Sequence, residues 1–371
     1  MLFKHKKLSF VILMCMVLIV AGCGTKANDK IDPDKINVVT SFYPIYFFAS
    51  EIGGEDAHVM NLLPTGVEPH DWTPRSQDIL NTSKAQLFLY NGAGLESWVP
   101  NFLKGIDSKA TVKPIELSKG ISLIYTNEDD GHNHGGHSSH EDSHDADHHH
   151  EKEHGKNNTE HDHEHGHENG HEHEHGDEND HDHEHEHGAE NDHSHGDEHS
   201  DPHTWISPKS AIIIAENIKN AYIEVDAKHQ ANYEQRFEQV KEKLTQLDEK
   251  YTEALSQTSK KEIVVSHQAF GYLARDYGFT QHAIMGLSPE SEPKAQDIVA
   301  LSKLVKEKQI KYIFFEELVS DKLAKMLASE SGVQTLVLNP VEGLTTAQEK
   351  AGENYYTLMD KNLENLLLAL K

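Results

Sequence analysis

Cysteine is nearly absent: the 371-residue chain has two, Cys15 and Cys23. Cys15 lies in an apolar N-terminal run that reads as a cleaved signal. The mature chain is therefore expected to have no disulfide, no thiolate metal site and no cysteine nucleophile. Basic residues are also scarce, 34 Lys and Arg against 62 Asp and Glu, for a formal net charge of −28. With no basic stripe to neutralise phosphates, nucleic acid is excluded as a partner. No apolar run reaches the roughly 20 residues of a membrane span. H-E-x-x-H, G-x-S-x-G and a phosphate loop are missing, and "NGAGLES" (91–97) lacks the third glycine of a dinucleotide fingerprint. Nothing here signals an enzyme.

What is present begins with "MLFKHKKLSFVILMCMVLIVAGCGTK". Lys4, Lys6 and Lys7 precede a mainly apolar run from Leu8 to Val20, the layout of an export signal over residues 1–22. Val20-Ala21-Gly22-Cys23 resembles a bacterial lipobox, which makes Cys23 the expected lipidation site and 23–35 a polar tether. The acidity is concentrated. Residues 129–200 hold 24 acids, two lysines and 23 of the 30 histidines, so they carry −22 of the formal charge. With almost no aliphatic residues, that segment cannot offset its ordering entropy and is expected to be a disordered insertion.

Elsewhere the pattern is α/β. Apolar runs at 36–39, 58–63, 85–90 and 112–117 alternate with segments of helical period, and the same grammar restarts at 262–267, 281–286, 310–317 and 334–340. Two similar lobes with mostly parallel sheets are predicted, an N-terminal lobe over 36–222 and a C-terminal lobe over 260–371. Between them, Tyr233, Phe237, Val240, Leu244, Leu247, Tyr251 and Leu255 step by three and four. That spacing predicts one long rigid linker helix within 223–259. A stiff link favours small rocking or loop reordering over large hinge closure.

Ligands of open α/β sheets collect beyond the carboxyl ends of the strands. Four candidate metal ligands fall there or in comparable loops: His70 in "PTGVEPHDWTP", His203 in "DPHTWISP", His267 closing "EIVVSH" and Glu342 in "VEGLTT". Three imidazoles and one carboxylate, two residues from each lobe, suit a closed tetrahedral zinc site. A hydrolytic zinc site would instead keep a position open for water. His58 and His282 start strands and His229 opens the linker helix, so these are expected to be structural. Glu316 and Glu317 stand at another strand end, as partners of the site or of salt bridges.

Seven stretches in order, "SFYPIYFFASEIGG", "GVEPHDWTP", "AQLFLYNGAGLESWV", "DPHTWISP", "VVSHQAFGYLARDYG", "GLSPESEP" and "VLNPVEGLT", resemble the cluster A-I solute-binding lipoproteins of bacterial ABC importers, in their zinc-specific (ZnuA/AdcA type) branch. The resemblance implies two α/β lobes joined by a rigid helix, a metal between them held by His70, His203, His267 and Glu342, and a monomer anchored to the membrane by lipid. It also implies delivery of the ion to a membrane permease served by an ATPase. Manganese-binding relatives tend to place a carboxylate where this chain has His267, and a third nitrogen favours zinc. Manganese remains the alternative cargo. Adhesin-type surface lipoprotein and zinc hydrolase are the remaining rivals. Some zinc-binding relatives use water or an acid near the first histidine as fourth ligand, and Glu68 is such an acid here. Histidine-rich acidic loops recur in that branch, either as a zinc-gathering antenna or as a dispensable spacer.

Overall fold

The computed structural model describes residues 31–126 and 199–371. The signal and lipidation readings, Cys23 included, and the histidine-rich segment up to residue 198 lie outside the described residues. Residues 199–200, expected to belong to the insertion, instead form a strand.

In the first lobe, β1 (Ile36–Thr40), α1 (Tyr43–Gly53), β2 (Ala57–Asn61), α2 (Ser76–Thr82), β3 (Leu87–Tyr90), α3 (Val99–Gly105) and β4 (Lys113–Glu116) alternate strictly. A short antiparallel ribbon follows, β5 (Tyr125–Thr126) with β6 (His199–Ser200). Two helices come next, α4 (Pro208–Val225) and α5 (Gln230–Ser256). The second lobe comprises β7 (Glu262–Val265), α6 (Gly271–Tyr277), β8 (Thr280–Ala283), α7 (Ala295–Glu307), β9 (Tyr312–Phe315), α8 (Lys322–Ser331) and β10 (Gln334–Val337). Helices α9 (Thr346–Ala351) and α10 (Tyr355–Leu370) close it.

The sheets run β2-β1-β3-β4 and β10-β9-β7-β8, all pairs parallel. Counted within its own lobe, each has its first strand beside its second and third, and its fourth at an edge. The two lobes therefore repeat one topology, as the repeated grammar predicts. Pro114 sits in edge strand β4, where a missing N–H costs no ladder bond on the open side.

Alternation along the central strands decides what each face covers. Val38 of β1 and Ile263 and Val265 of β7 enter one large core, while Val39 and Val264 face smaller clusters on the far side of their sheets. The large core is shared: Phe48 and Trp205 from the first lobe, Phe237 and Leu244 from α5, and Phe270 and Leu363 from the second belong to it. Tyr355 meets Phe48 with ring centroids 4.8 Å apart, and the Trp205 indole N–H donates across the lobes to Pro340 O at 2.8 Å. Opening the lobes as a hinge would expose this core and break these bonds.

Helix α5 buries all seven residues of the predicted stripe. Its 27 residues span about 40 Å at 1.5 Å per residue. It starts later than the sequence suggests, because residues 223–225 complete α4 and Asp226 breaks the chain direction at φ −144°. The Asp226 carboxylate stabilises that break by accepting the Tyr233 hydroxyl at 2.7 Å and meeting His229 Nδ1 at 2.5 Å.

Candidate metal centre

Beyond β2 the chain runs without helix or strand from Leu62 to Arg75, and His70 lies within that loop. Both Glu68 carboxylate oxygens accept the His70 backbone N–H at 3.0 Å, which closes a tight local turn. The loop is tied to the second lobe by Gly66 N–H donating to Leu344 O at 2.9 Å. His203 precedes a single turn of 3-10 helix, Thr204–Ile206. Asn91 clamps that turn, donating to Pro202 O at 2.8 Å and accepting from the Thr204 hydroxyl at 2.6 Å.

His267 lies two residues beyond the end of β7, after Ser266. Glu342 follows Val341, a β-branched residue at φ 59°, which is a strained backbone. Asn339 offsets that strain by accepting the Val341 N–H at 2.7 Å, and Asn362 holds Asn339 in turn.

These four side chains converge. Their potential ligand atoms lie within 4.8 Å of one another and all four residues are buried. His203 Nε2 is 3.2 Å from the Nε2 atoms of both His70 and His267. One carboxylate oxygen, Glu342 Oε1, stands 3.3 Å from His203 Nε2, 3.5 Å from His70 Nε2 and 3.7 Å from His267 Nε2. A tetrahedron with ligand bonds of about 2.0–2.2 Å has edges of roughly 3.3–3.6 Å. Five of the six edges, at 3.2–3.7 Å, lie close to those values. Glu68 is further out, its nearest oxygen 4.0 Å from His70 Nε2.

The electrostatics are those of a site for a cation. Burial pushes Glu342 up, but the three imidazoles outweigh it and hold the carboxyl well below its usual range. Burial pushes His267 down, yet Glu316 and Glu342 overcome it and raise the imidazole to about 10. His203 is likewise raised against burial, by Asp201 and Glu342. His70 moves down, because burial there prevails over Glu342. Burial and the neighbouring Glu342 carboxylate raise Glu68 to about 8.

The histidines expected to be structural are elsewhere. His282 pairs with Glu262 at 2.6 Å, His229 with Asp226, and His58 lies within β2. Glu316 Oε1 meets His267 Nδ1 at 2.7 Å, whereas Glu317 accepts from Asn339 and Gln348. Asp201 Oδ1 meets His203 Nδ1 at 2.8 Å. Sequence reasoning left Glu316 open and missed Asp201, whose one signal was its place two residues before a candidate ligand.

Residues 38–369 match the protein family described as "Zinc-uptake complex component A periplasmic" (ZnuA). The chain belongs to the ZnuA family. Among relatives, the Bacillus subtilis high-affinity zinc uptake system protein ZnuA is 36% identical over 368 residues, 98% of either chain. The zinc-binding protein AdcA of Streptococcus pyogenes is 37% identical over 344 residues, 93% of this chain. This ZnuA-family chain spans 58% of that AdcA's length. The crystal structure of the Zn(II)-bound ZnuA-like domain of Streptococcus pneumoniae AdcA superposes with a TM-score of 0.64 at 33% identity, covering 91% of this chain and 99% of that one. Both lobes and the linker helix thus follow the fold of a ZnuA-like domain.

Proposed function

We propose that this chain is the extracytoplasmic zinc receptor of an ABC importer, capturing one Zn2+ on His70, His203, His267 and Glu342. The observation that carries the reading is the single Glu342 oxygen 3.3–3.7 Å from three converging imidazole nitrogens, all buried between two lobes that share a core. Three neutral nitrogens and one carboxylate suit zinc, a borderline-soft ion, better than manganese, which prefers more oxygen. Four protein ligands leave no position for a reactive water, so the site sequesters an ion and performs no chemistry on it. Both the ZnuA family description and the 36% identical Bacillus subtilis uptake protein favour this role.

In this reading the chain is lipidated at Cys23, stands on the outer face of the cell membrane as a monomer, and hands its ion to a permease driven by an ATPase. The shared core favours small loop movements over hinge closure during capture and release. The histidine-rich segment, with 23 of the 30 histidines, gathers zinc for the centre. Its sites are expected to be weaker than the centre, since histidines spread along a polar sequence offer many interchangeable ligand sets and no single fixed one. Deleting residues 131–199 should leave the tightest site intact, and loss of that site would make the insertion the primary binder.

Equilibrium dialysis against zinc and manganese tests the proposal. One tight zinc at the centre, with manganese displaced, is expected, and no tight zinc refutes it. His267→Glu, which converts a nitrogen donor to oxygen, should move the preference toward manganese.

A further inference from the structure

We infer that Asp201 and Glu316 are positioning residues of the zinc centre, each holding the Nδ1–H of one ligand imidazole so that its Nε2 is aimed at the ion. The inference rests on the ligand set proposed above. Asp201 Oδ1 accepts from His203 twice, from Nδ1 at 2.8 Å and from the backbone N–H at 3.0 Å. Glu316 Oε1 meets His267 Nδ1 at 2.7 Å and also accepts the Ser266 hydroxyl. An acceptor on one ring nitrogen keeps the proton there and leaves the lone pair on the other nitrogen for a metal.

The cost of these two carboxylates argues for their purpose. Both are buried, Asp201 at 0% and Glu316 at 3% exposure. Each uses one oxygen on its histidine, while the other, Asp201 Oδ2 or Glu316 Oε2, is buried with no hydrogen-bond partner among the described residues. A buried carboxylate satisfied at one oxygen destabilises a fold unless a charge offsets it. The dication one imidazole width away supplies that charge. Asp201 belongs to the first lobe and Glu316 to the second, so each lobe presents one imidazole already oriented, which lowers the ordering cost of capture. No carboxylate among the described residues reaches Nδ1 of His70, whose direction comes from its loop and the Glu68 turn. Away from the centre Glu262 pairs with His282 through Nε2 instead, at 2.6 Å, and this carboxylate–imidazole pair provides a control.

The test uses the full chain with zinc competition against a chelator, and proton NMR with half an equivalent of cobalt(II), so that the tightest site fills first. Asp201→Asn and Glu316→Gln should each weaken zinc by about ten- to a hundredfold, and Glu262→Gln should leave it unchanged. In the cobalt form each ligand imidazole contributes one shifted, exchangeable N–H signal. Two should exchange slowly in D2O, and each variant should accelerate only one of them. Unchanged zinc affinity in both variants would overturn the inference. So would three protons exchanging alike in the unmodified protein, a result that needs no variant to fold. If His203→Ala and His267→Ala retain tight zinc, the ligand set itself fails; if they lose it while Asp201→Asn and Glu316→Gln do not, the positioning role alone fails.

Discussion

Gly271 opens α6 with a backbone that any residue can adopt, so its requirement is for space. A Cβ built there would stand 2.4 Å from Asp201 Oδ2. Ordinary contact begins at 3.4 Å, so the Gly271→Ala variant must push the carboxylate back by about 1 Å. Asp201 is fully buried, and its other oxygen holds both N–H groups of His203. Retreat therefore stretches those bonds and rotates the imidazole. Overpacking of this kind costs about 1–3 kcal/mol. For a fold of this size that is a fall of roughly 2–10 °C in the zinc-free Tm. Zinc affinity should drop by about tenfold or more as His203 loses its aim. Calorimetric melting and chelator competition report the two effects separately. In an Asp201→Ala background the methyl group has nothing to strike, so Gly271→Ala should add no further loss of affinity. Equal losses in both backgrounds, or a Gly271→Ala protein that melts and binds like the unmodified one, would refute the reasoning.

Three other outcomes follow from the same geometry. Because Glu316 and Glu342 raise His267 to about 10 and Asp201 and Glu342 raise His203, the metal-free centre holds protons at neutral pH that zinc must displace. Affinity should therefore climb as pH rises from 6 to 8, with at least about one proton released per zinc near pH 7. Titration calorimetry in buffers of different ionisation enthalpy measures that number, and zero would contradict it. Trp205→Phe leaves Pro340 O without its donor across the lobes, so the zinc-free protein should lose about 1–3 kcal/mol, read as a lower Tm. Thr345→Ala removes a hydroxyl that accepts the Gln348 N–H of a capping box at the start of α9, and should cost about 1 kcal/mol by denaturant unfolding.

The architecture was legible because it rests on periodicity. Short apolar runs marked the eight strands of the two sheets, and the step of three and four marked α5, since burial selects those positions directly. Its start was not legible. Nothing in the composition around residue 223 shows that the Asp226 side chain stabilises a break by taking Tyr233 and His229 as partners. The candidate ligands could be read because loops beyond parallel strands point to one crevice. Choosing between Glu342 and Glu68 required coordinates, because a difference between about 3.5 and 4.0 Å has no trace in the sequence. Asp201 escaped for a related reason. Tertiary packing buries this acid, against Gly271 and between Ile124 O, which accepts its N–H, and the Tyr272 hydroxyl, which donates to its carbonyl.

The most direct test is anomalous diffraction at the zinc edge from crystals of the full chain grown with one equivalent of zinc. One dominant peak is expected, about 2.0–2.2 Å from Nε2 of His70, His203 and His267 and from a Glu342 oxygen. A dominant peak elsewhere, with these four side chains free of zinc, would contradict it.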